Sequence, residues 1–235
     1  MRVCIVVPCY NEGHRLNESA FLTFLNENPQ ISFCFVNDGS SDDTIDKLLR
    51  LKSKNERVLV LDNPHNKGKA ETVRNGINHV VKEFDIVGFF DADLATPLNE
   101  LSQLIHIIGQ NQYDAVFASR ILRLGSVIQR RFKRHLFGRL FATIIGTLFG
   151  IKAYDTQCGA KVFRREIAEK IFAEPFVSKW IFDVELLIRM DYRQDHHNLF
   201  EYPLRKWVDV AGSKITFKDT LRIPLEILKL YKAYR

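Results

Sequence analysis

The sequence predicts an α/β domain with a mostly parallel sheet flanked by helices. Short β-branched or aromatic runs alternate with amphipathic segments through the first half of the chain. Clusters of turn residues separate these runs. Such alternation is typical of parallel strands covered by helices on both faces. Apolar residues make up 46% and charged residues 26% of the 235 positions, a globular composition that excludes disorder.

The first 118 residues contain the clearest elements. Strands are predicted near residues 2–8, 32–37, 57–62, 86–91 and 114–118. Helices are predicted near residues 14–26, 42–53, 68–83 and 97–109. Polar residues 40–43 form an entry signal for the second helix, and Pro97 with Glu100 opens the fourth. We expect one domain over residues 1–215 and an amphipathic helix over residues 216–235.

The cysteines and the amino terminus indicate a reducing compartment. Cys4, Cys9, Cys34 and Cys158 show no paired spacing, which favours buried thiols over a disulfide or zinc framework. Met1 leads directly into the first strand, so no signal peptide is expected. The longest run with few charges, residues 140–154, is too short to span a bilayer.

Two carboxylates follow the apolar run of residues 86–90. Because side chains alternate along a strand, Asp91 and Asp93 are expected to point the same way at the carboxyl edge of the sheet. Two oxygen ligands on one face suit Mg²⁺ or Mn²⁺ held together with a substrate diphosphate. The alternative is a solvated loop.

Polar residues also follow the neighbouring strands. Pro8, Tyr10 and Glu12 come after the first strand and could frame a planar base, and Asp38 after the second could accept from a ribose or base. Residues 66–69 open a helix where backbone N–H groups and a cation could meet a phosphate. Each loop alone could be an ordinary turn. Together at successive strand ends, they predict a nucleotide-binding crevice.

These strings resemble those of family 2 glycosyltransferases with the nucleotide-sugar-binding GT-A fold. The resemblance lies in VPCYNE, VNDGSSDDT, NKGKA and DAD. DTQCGAKVFRRE (155–166), KWIFDVELL (179–187) and WVDVAGSK (207–214) are similar to dolichyl-phosphate glucosyltransferases and polyprenyl-phosphate mannosyltransferases. The Gly-Ser-Lys of residues 212–214 favours the glucosyl branch.

The resemblance implies a role for each matched residue. The implied donor-binding residues are Pro8, Tyr10, Glu12, Asp38, Lys69, Asp91, Ala92 and Asp93. Asp91 and Asp93 would hold the metal ion, with Asp93 the stronger candidate. Some of the mannosyltransferases carry a further Gln ligand where this chain has Ala95. The implied donor is UDP-glucose, with GDP-mannose as the second candidate, and the implied stereochemistry is inverting.

The acceptor decides which catalytic groups are needed. A polyprenyl phosphate is already anionic and needs no general base, whereas a saccharide hydroxyl would need a carboxylate within hydrogen-bond reach. Asp183 is the candidate for that base and otherwise would orient the acceptor; an acid stabilising a helix N-terminus is the alternative. Trp180 could line the sugar pocket or fill the core. We expect hexose transfer to a polyprenyl phosphate, and the alternative is a soluble family 2 enzyme acting on a saccharide hydroxyl.

A basic stretch separates Asp114 from Asp155. Its forty residues contain eight bases and no acid. Arg120, Arg131 and Arg134 are the candidates for binding the acceptor phosphate, because arginine binds phosphate through two parallel N–H groups. The alternative is that Arg120 pairs with a neighbouring acid and that the other two contact only lipid headgroups. Residues 122–152 also carry apolar side chains every four positions, which predicts an interfacial helix or helical hairpin on anionic lipid. A core helix is the alternative.

The carboxyl end repeats this pattern. Leu221, Leu225, Leu228 and Tyr231 lie at helical spacing among basic residues, and Pro224 would lie in the first turn or kink the helix. This helix could attach the protein to the membrane, cap the domain or contact another subunit. We expect a peripheral protein on the cytoplasmic side of a membrane. A nucleic-acid-binding module is excluded because it would have no use for the Asp pair or the apolar spacing.

Overall fold

The computed structural model describes residues 1–110, 113–129, 132–190, 198–210 and 217–234 of the chain. Its strands are β1 (Val3–Cys9), β2 (Ile31–Asp38), β3 (Val58–Asn63), β4 (Ile86–Phe90), β5 (Ala115–Ser119), β6 (Val127–Gln129), β7 (Ala160–Arg164), β8 (Leu199–Pro203) and β9 (Lys206–Val208). Its helices are α1 (Glu18–Glu27), α2 (Thr44–Lys54), α3 (Lys69–Val80), α4 (Leu98–Gly109), α5 (Phe132–Phe149), α6 (Arg165–Ile171), α7 (Phe182–Arg189) and α8 (Phe217–Tyr234).

The main sheet is mostly parallel. Over the described ranges it has seven strands in the order β3-β2-β1-β4-β7-β5-β8. Strand β7 is antiparallel to both β4 and β5, whereas the other neighbouring pairs are parallel. A short parallel pair, β6 with β9, forms a separate small sheet. The predicted α/β class with a mostly parallel sheet is confirmed.

The predicted elements of the first half lie close to the observed ones. The largest difference is at α1, which begins at Glu18 instead of residue 14. The preceding residues form a turn, in which the N–H groups of Arg15 and Leu16 donate to the carbonyl of Glu12. Asn17 then caps the helix by accepting from the N–H of Ala20 at 3.1 Å. An Asn at this position favours helix entry here because it satisfies an orphan N–H group.

The core lies on both faces of the sheet. Along β1, Val3, Ile5 and Val7 pack on one face, and Cys4 and Val6 pack on the other. This two-sided burial is what a parallel sheet between helical layers requires. The four cysteines are buried and unpaired by disulfides, as predicted.

Helix α5 answers the question that the basic stretch left open. The segment forms one helix over Phe132–Phe149 and not a hairpin. Ile145 and Phe149 are buried in the core, and the Phe149 ring meets that of Tyr231 of α8 with centroids 6.3 Å apart. Helix α8 continues past Pro224, which lies inside it and not in its first turn. Among the described helices, none combines the length and apolar character needed to cross a membrane.

Candidate active site

The Asp-Ala-Asp segment lies at the carboxyl end of β4. The strand ends at Phe90, so Asp91 and Asp93 do not share a face through strand alternation, and that part of the expectation was wrong. The chain instead turns, with Leu94 at φ 54°. The N–H of Asp91 donates to the carbonyl of Gly159 at 3.0 Å, and the Asp93 carboxylate accepts from the N–H of Ala95 at 3.1 Å. Both carboxylates remain partly exposed.

Gly159 provides the surface on which the Asp91 carboxylate lies. A Cβ at residue 159 would be 1.8 Å from Oδ2 of Asp91. No side chain could therefore occupy residue 159 without displacing the carboxylate. This requirement explains a glycine at this point of the DTQCGAKVFRRE string, and the sequence alone did not identify it.

Lys69 joins the predicted carboxylates. Its Nζ lies 2.5 Å from Oδ1 of Asp91, and both side chains are 41% exposed. Burial lowers the pKa of Lys69, but the charges of Asp91, Asp183 and Asp93 outweigh that effect and raise it. Three carboxylates predicted from two motifs thus act on one cation, at the first residue of α3.

The electrostatics around Asp93 suit a divalent cation. Burial, followed by the neighbouring charge of Asp91, raises the pKa of Asp93 above its ordinary value. A nearby cation would favour the charged form of such a carboxylate. In the part of the chain that the structure describes, no cluster of three or more His, Cys, Asp or Glu side chains could hold a metal ion. Asp91 and Asp93 stay the predicted metal ligands, and oxygens of a diphosphate and water suit the remaining positions around Mg²⁺ or Mn²⁺.

Arg15 is a further cation near this pair. Its Nε and Nη2 donate to the two oxygens of Glu12 at 2.9 and 2.6 Å. Burial lowers the pKa of Arg15, whereas Glu12, Asp93 and Asp91 raise it, with a net increase. Glu12 is buried by this pairing, so it anchors Arg15 beside the Asp pair. Sequence reasoning did not identify Arg15, which lies outside the matched string.

The nucleoside end of the crevice differs in part from expectation. The oxygens of Asp38 accept from the N–H groups of Lys67 and Gly68 at 2.8 and 3.0 Å. The backbone donors that the sequence assigned to a phosphate therefore bind Asp38. Tyr10 is 38% exposed and Pro8 is half-buried, so both rim the carboxyl end of β1. The side chain of Ala92 packs in the core, which leaves only its backbone to meet a donor.

Asp183 lies in the first turn of α7 and has a buried cationic partner. Oδ1 of Asp183 lies 2.5 Å from Nζ of Lys161, whose side chain is fully buried on β7. The first-turn position gives the macrodipole interpretation of Asp183 a structural basis, and the charge of Asp183 also raises the pKa of Lys69. Trp180, just before this helix, is 37% exposed and does not fill the core.

Arg120 follows β5 and is held by an acid. Its Nε and Nη2 donate to Asp155 at 2.6 and 2.8 Å, and its guanidinium lies 5.3 Å from the ring centroid of Trp207. Burial lowers the pKa of Arg120, but the charge and hydrogen bonds of Asp155, and more distantly Asp91, raise it. Arg120 thus lies within electrostatic reach of the metal-site candidate. Arg131 and the side chain of Arg134 lie outside the described residues.

Comparison with known proteins identifies the family. The family model described as glycosyl transferase family 2 matches residues 4–172, well over half of the chain. The chain belongs to glycosyl transferase family 2. The predicted family is confirmed, and the protein is a glycosyltransferase enzyme.

Two relatives match almost the whole chain. A dolichyl-phosphate beta-glucosyltransferase of Dictyostelium discoideum is 32% identical over 255 residues, covering 98% of this chain and 74% of the relative. The Homo sapiens enzyme of the same name is 30% identical over 254 residues, with coverages of 99% and 76%. The similarity also extends past residue 172, the last residue that the family model matches. Strand β9 and helix α8 lie in this later part of the chain.

A solved structure shows the fold. Glucosyl-3-phosphoglycerate synthase of Mycobacterium tuberculosis, in complex with Mn²⁺, uridine diphosphate and glucosyl-3-phosphoglycerate, has a TM-score of 0.73 and 17% identity. The match covers 99% of this chain and 80% of the synthase. The predicted GT-A fold is thereby confirmed.

Proposed function

We propose that this glycosyltransferase transfers glucose from UDP-glucose to a polyprenyl phosphate, with GDP-mannose as the second donor to test. The observation that carries the proposal is the 30–32% identity, over nearly the whole chain, to enzymes named dolichyl-phosphate beta-glucosyltransferases. The crevice supports it, because donor-side and acceptor-side groups predicted from separate motifs converge around Lys69.

On the donor side, Asp91 and Asp93 would hold Mg²⁺ or Mn²⁺. When bound, the divalent cation stabilises the negative charge that develops on the leaving diphosphate. Pro8, Tyr10 and Asp38 lie at the nucleoside end. Lys69 is 41% exposed and would hold a diphosphate oxygen.

On the acceptor side, Arg120 would meet the lipid phosphate. Asp155 engages Nε and Nη2 of Arg120, so Nη1 is the nitrogen proposed to approach the phosphate. Asp155 and Trp207 would hold the guanidinium in place while it offsets the repulsion between the two anions. Arg131 and Arg134 stay as predicted partners in this role. Since the acceptor is anionic, Asp183 would orient it and need not remove a proton.

The exposed apolar side chains of residues 122–152 support membrane contact. Leu136, Phe137 and Leu140 of α5 are 57–64% exposed, and Leu124, in the turn before β6, is fully exposed. Bases lie among these residues, a combination that binds anionic lipid surfaces. Leu225 and Leu228 of α8 add a second exposed apolar row. We therefore place the enzyme at the cytoplasmic surface of a membrane, as a peripheral protein.

An acceptor assay tests the proposal. The purified protein is given radiolabelled UDP-glucose or GDP-mannose, Mg²⁺ or Mn²⁺, and either dolichyl phosphate in liposomes or a soluble saccharide. We expect labelled lipid from UDP-glucose and dolichyl phosphate, and none from the Asp93→Ala control. Labelled saccharide without labelled lipid would instead establish the soluble family 2 alternative.

The proposed binding of the acceptor phosphate by Arg120 and Arg134, called the arginine clamp below, has its own test. Arg120→Ala and Arg134→Ala should each cut turnover of dolichyl phosphate severely while UDP-glucose affinity, measured by calorimetry, changes little. Arg120→Lys should restore turnover only in part, because lysine keeps the charge but not the planar fork that Asp155 holds. Asp155→Asn is the matched variant that weakens this hold and retains Arg120. Near-normal turnover in both alanine variants would exclude the clamp.

A further inference from the structure

Lys161 is a charged residue with no contact to solvent. Its side chain is fully buried on β7, and its Nζ donates to Oδ1 of Asp183 and to the carbonyl of Cys158, each at 2.5 Å. The rings of Phe89 and Phe117 lie 5.2 and 5.5 Å from the same atom, measured to their centroids. Burying an ammonium costs several kcal/mol unless partners compensate for lost water. A methionine would fill similar space without this cost, so a pure packing role does not require a lysine.

The partners of Lys161 link the two sides of the crevice. Cys158, whose carbonyl accepts from Lys161, is followed by Gly159, which accepts from the N–H of Asp91 and lies against its carboxylate. The other partner of Lys161 is Asp183 of α7. The backbone of Cys158 and Gly159 therefore contacts Asp91 directly and contacts Asp183 through Lys161.

We propose that Lys161 is a positioning residue that fixes the Asp183 carboxylate relative to Asp91 and thereby sets the acceptor side of the crevice. The inference rests on the proposed function in one respect, the participation of Asp183 in the transfer. Asp183 lies in the first turn of α7, and an aspartate side chain can rotate. The ammonium gives one of its oxygens a fixed partner, so the other oxygen keeps a defined direction.

Glu185 provides a matched control in the same helix. It is also fully buried and carries a charge, and it accepts from Arg189, from the hydroxyl of Tyr234 and from the N–H groups of Val177 and Ser178. These partners belong to α7, α8 and the loop before α7, and not to β7 or the Asp91 segment. Removing this charge should affect stability without changing the crevice.

The experiment is a chemical rescue. In Lys161→Ala, we expect kcat, measured with the acceptor that the wild-type enzyme uses, to fall about tenfold to a hundredfold. This range is typical of partners that orient an active-site ligand. The KM for UDP-glucose should change less than about twofold, because the donor side keeps its residues. Propylamine, which can occupy the vacated space as an ammonium, should restore part of kcat, whereas propanol should not.

Circular dichroism melting establishes that each variant is folded at the assay temperature, and Glu185→Gln should lower the melting temperature and leave kcat near that of the wild type.

Two further variants keep the test decisive if Lys161→Ala does not fold. Lys161→Gln retains amide donors for both acceptors, and Lys161→Met retains the shape alone. We expect kcat to decrease in the order Lys, Gln, Met at a nearly constant donor KM. Wild-type kcat in any folded Lys161 variant, or equal rescue by propanol, would overturn the inference. Failure of the proposed function would appear differently: the wild type itself would not glycosylate dolichyl phosphate, and the series would then be measured with the acceptor that it does use.

Discussion

Two lysine–aspartate pairs lie at the crevice with the same N–O distance of 2.5 Å, but their exposure differs. In the pair of Lys69 with Asp91, both side chains are 41% exposed. In the pair of Lys161 with Asp183, the exposed fractions are 0% and 8%. An exposed pair contributes roughly 0–1 kcal/mol to stability, whereas removing one partner of a buried pair costs about 3–5 kcal/mol.

The comparison shows that similar contacts serve different purposes. Because water already solvates both groups, Asp91 would lose little stabilisation if it left Lys69 for the proposed metal ion. Asp183 cannot leave Lys161 without stranding a buried charge. In the proposed mechanism, the donor side would therefore exchange partners and the acceptor side would stay fixed.

The largest expected effect follows from removing a metal ligand on the exchangeable side. Asp93→Ala should lower transfer by at least about a hundredfold, because charge on the leaving diphosphate loses its stabilisation. The melting temperature should hardly change, since the carboxylate lies at a partly exposed strand end. Excess chelator should reproduce the loss in the wild type, and Mg²⁺ or Mn²⁺ should reverse it. Asp46→Ala on α2 is the matched control, and full activity of the wild type in chelator would contradict the metal-dependent mechanism.

Gly159→Ala tests the backbone of residues 158–159, which contacts Asp91 of one pair and Lys161 of the other. The added methyl would lie 1.8 Å from the Asp91 carboxylate and must displace it. We expect Mn²⁺ affinity in the presence of UDP, measured by electron paramagnetic resonance, to fall about tenfold to a hundredfold. Overpacking should also cost about 1–3 kcal/mol of unfolding free energy. The control is Gly109→Ala, where a Cβ would meet only the end of the Met1 side chain, at 3.2 Å; unchanged Mn²⁺ affinity in Gly159→Ala would show that Asp91 is not a ligand.

These two pairs also show how much of the candidate site could be predicted from the sequence. Asp91 and Asp93 follow an apolar run in an unbroken motif, so local pattern alone located them. Lys161 lies in a string that was noticed, but its partner is 22 residues further on, and its burial depends on β7 entering the sheet between β4 and β5. Arg120 was predicted to lie in the crevice, but its partner Asp155 is 35 residues away and was not predicted. Long-range pairing of this kind leaves no periodic signal in the chain.

Helix α5 gives a second example of the same limit. Apolar residues every four positions predicted a helix, and one is present over Phe132–Phe149. The pattern did not reveal which row faces inward, because apolar side chains occur on more than one side. Ile145 belongs to the apolar residues of the stretch predicted to contact lipid, yet it is fully buried in the core. Tertiary packing decided the orientation.

The exposed row of α5 sets the third prediction. Replacing Leu136, Phe137 and Leu140 with Ser should weaken binding to anionic liposomes by at least about tenfold, because each apolar side chain that enters lipid contributes roughly 1–3 kcal/mol. UDP binding should persist, since none of these three residues is a predicted donor-binding residue. Leu49→Ser on α2, which removes a side chain that is 50% exposed, is the control for flotation assays. Unchanged flotation of the triple variant would remove α5 from the membrane contact.

The smallest expected effect concerns Glu226, whose carboxylate holds α8 against the loop before α7. Glu226 accepts from Lys229 and from the hydroxyl of Ser178, close before α7. Burial raises the pKa of Glu226, but the hydrogen bonds from Lys229 and Ser178 outweigh it, and the pKa is lowered from 4.5. A lowered carboxyl pKa means that this stabilisation is present above pH 4.5 and is lost as the pH falls through the folded-state pKa.

Glu226→Gln should therefore cost roughly 1–2 kcal/mol of unfolding free energy at pH 7 and progressively less in acid, as measured by urea unfolding at a series of pH values. Glu27→Gln, at an exposed position of α1, should show no such convergence with the wild type. A pH-independent difference would mean that Glu226 stabilises α8 by shape and not by charge.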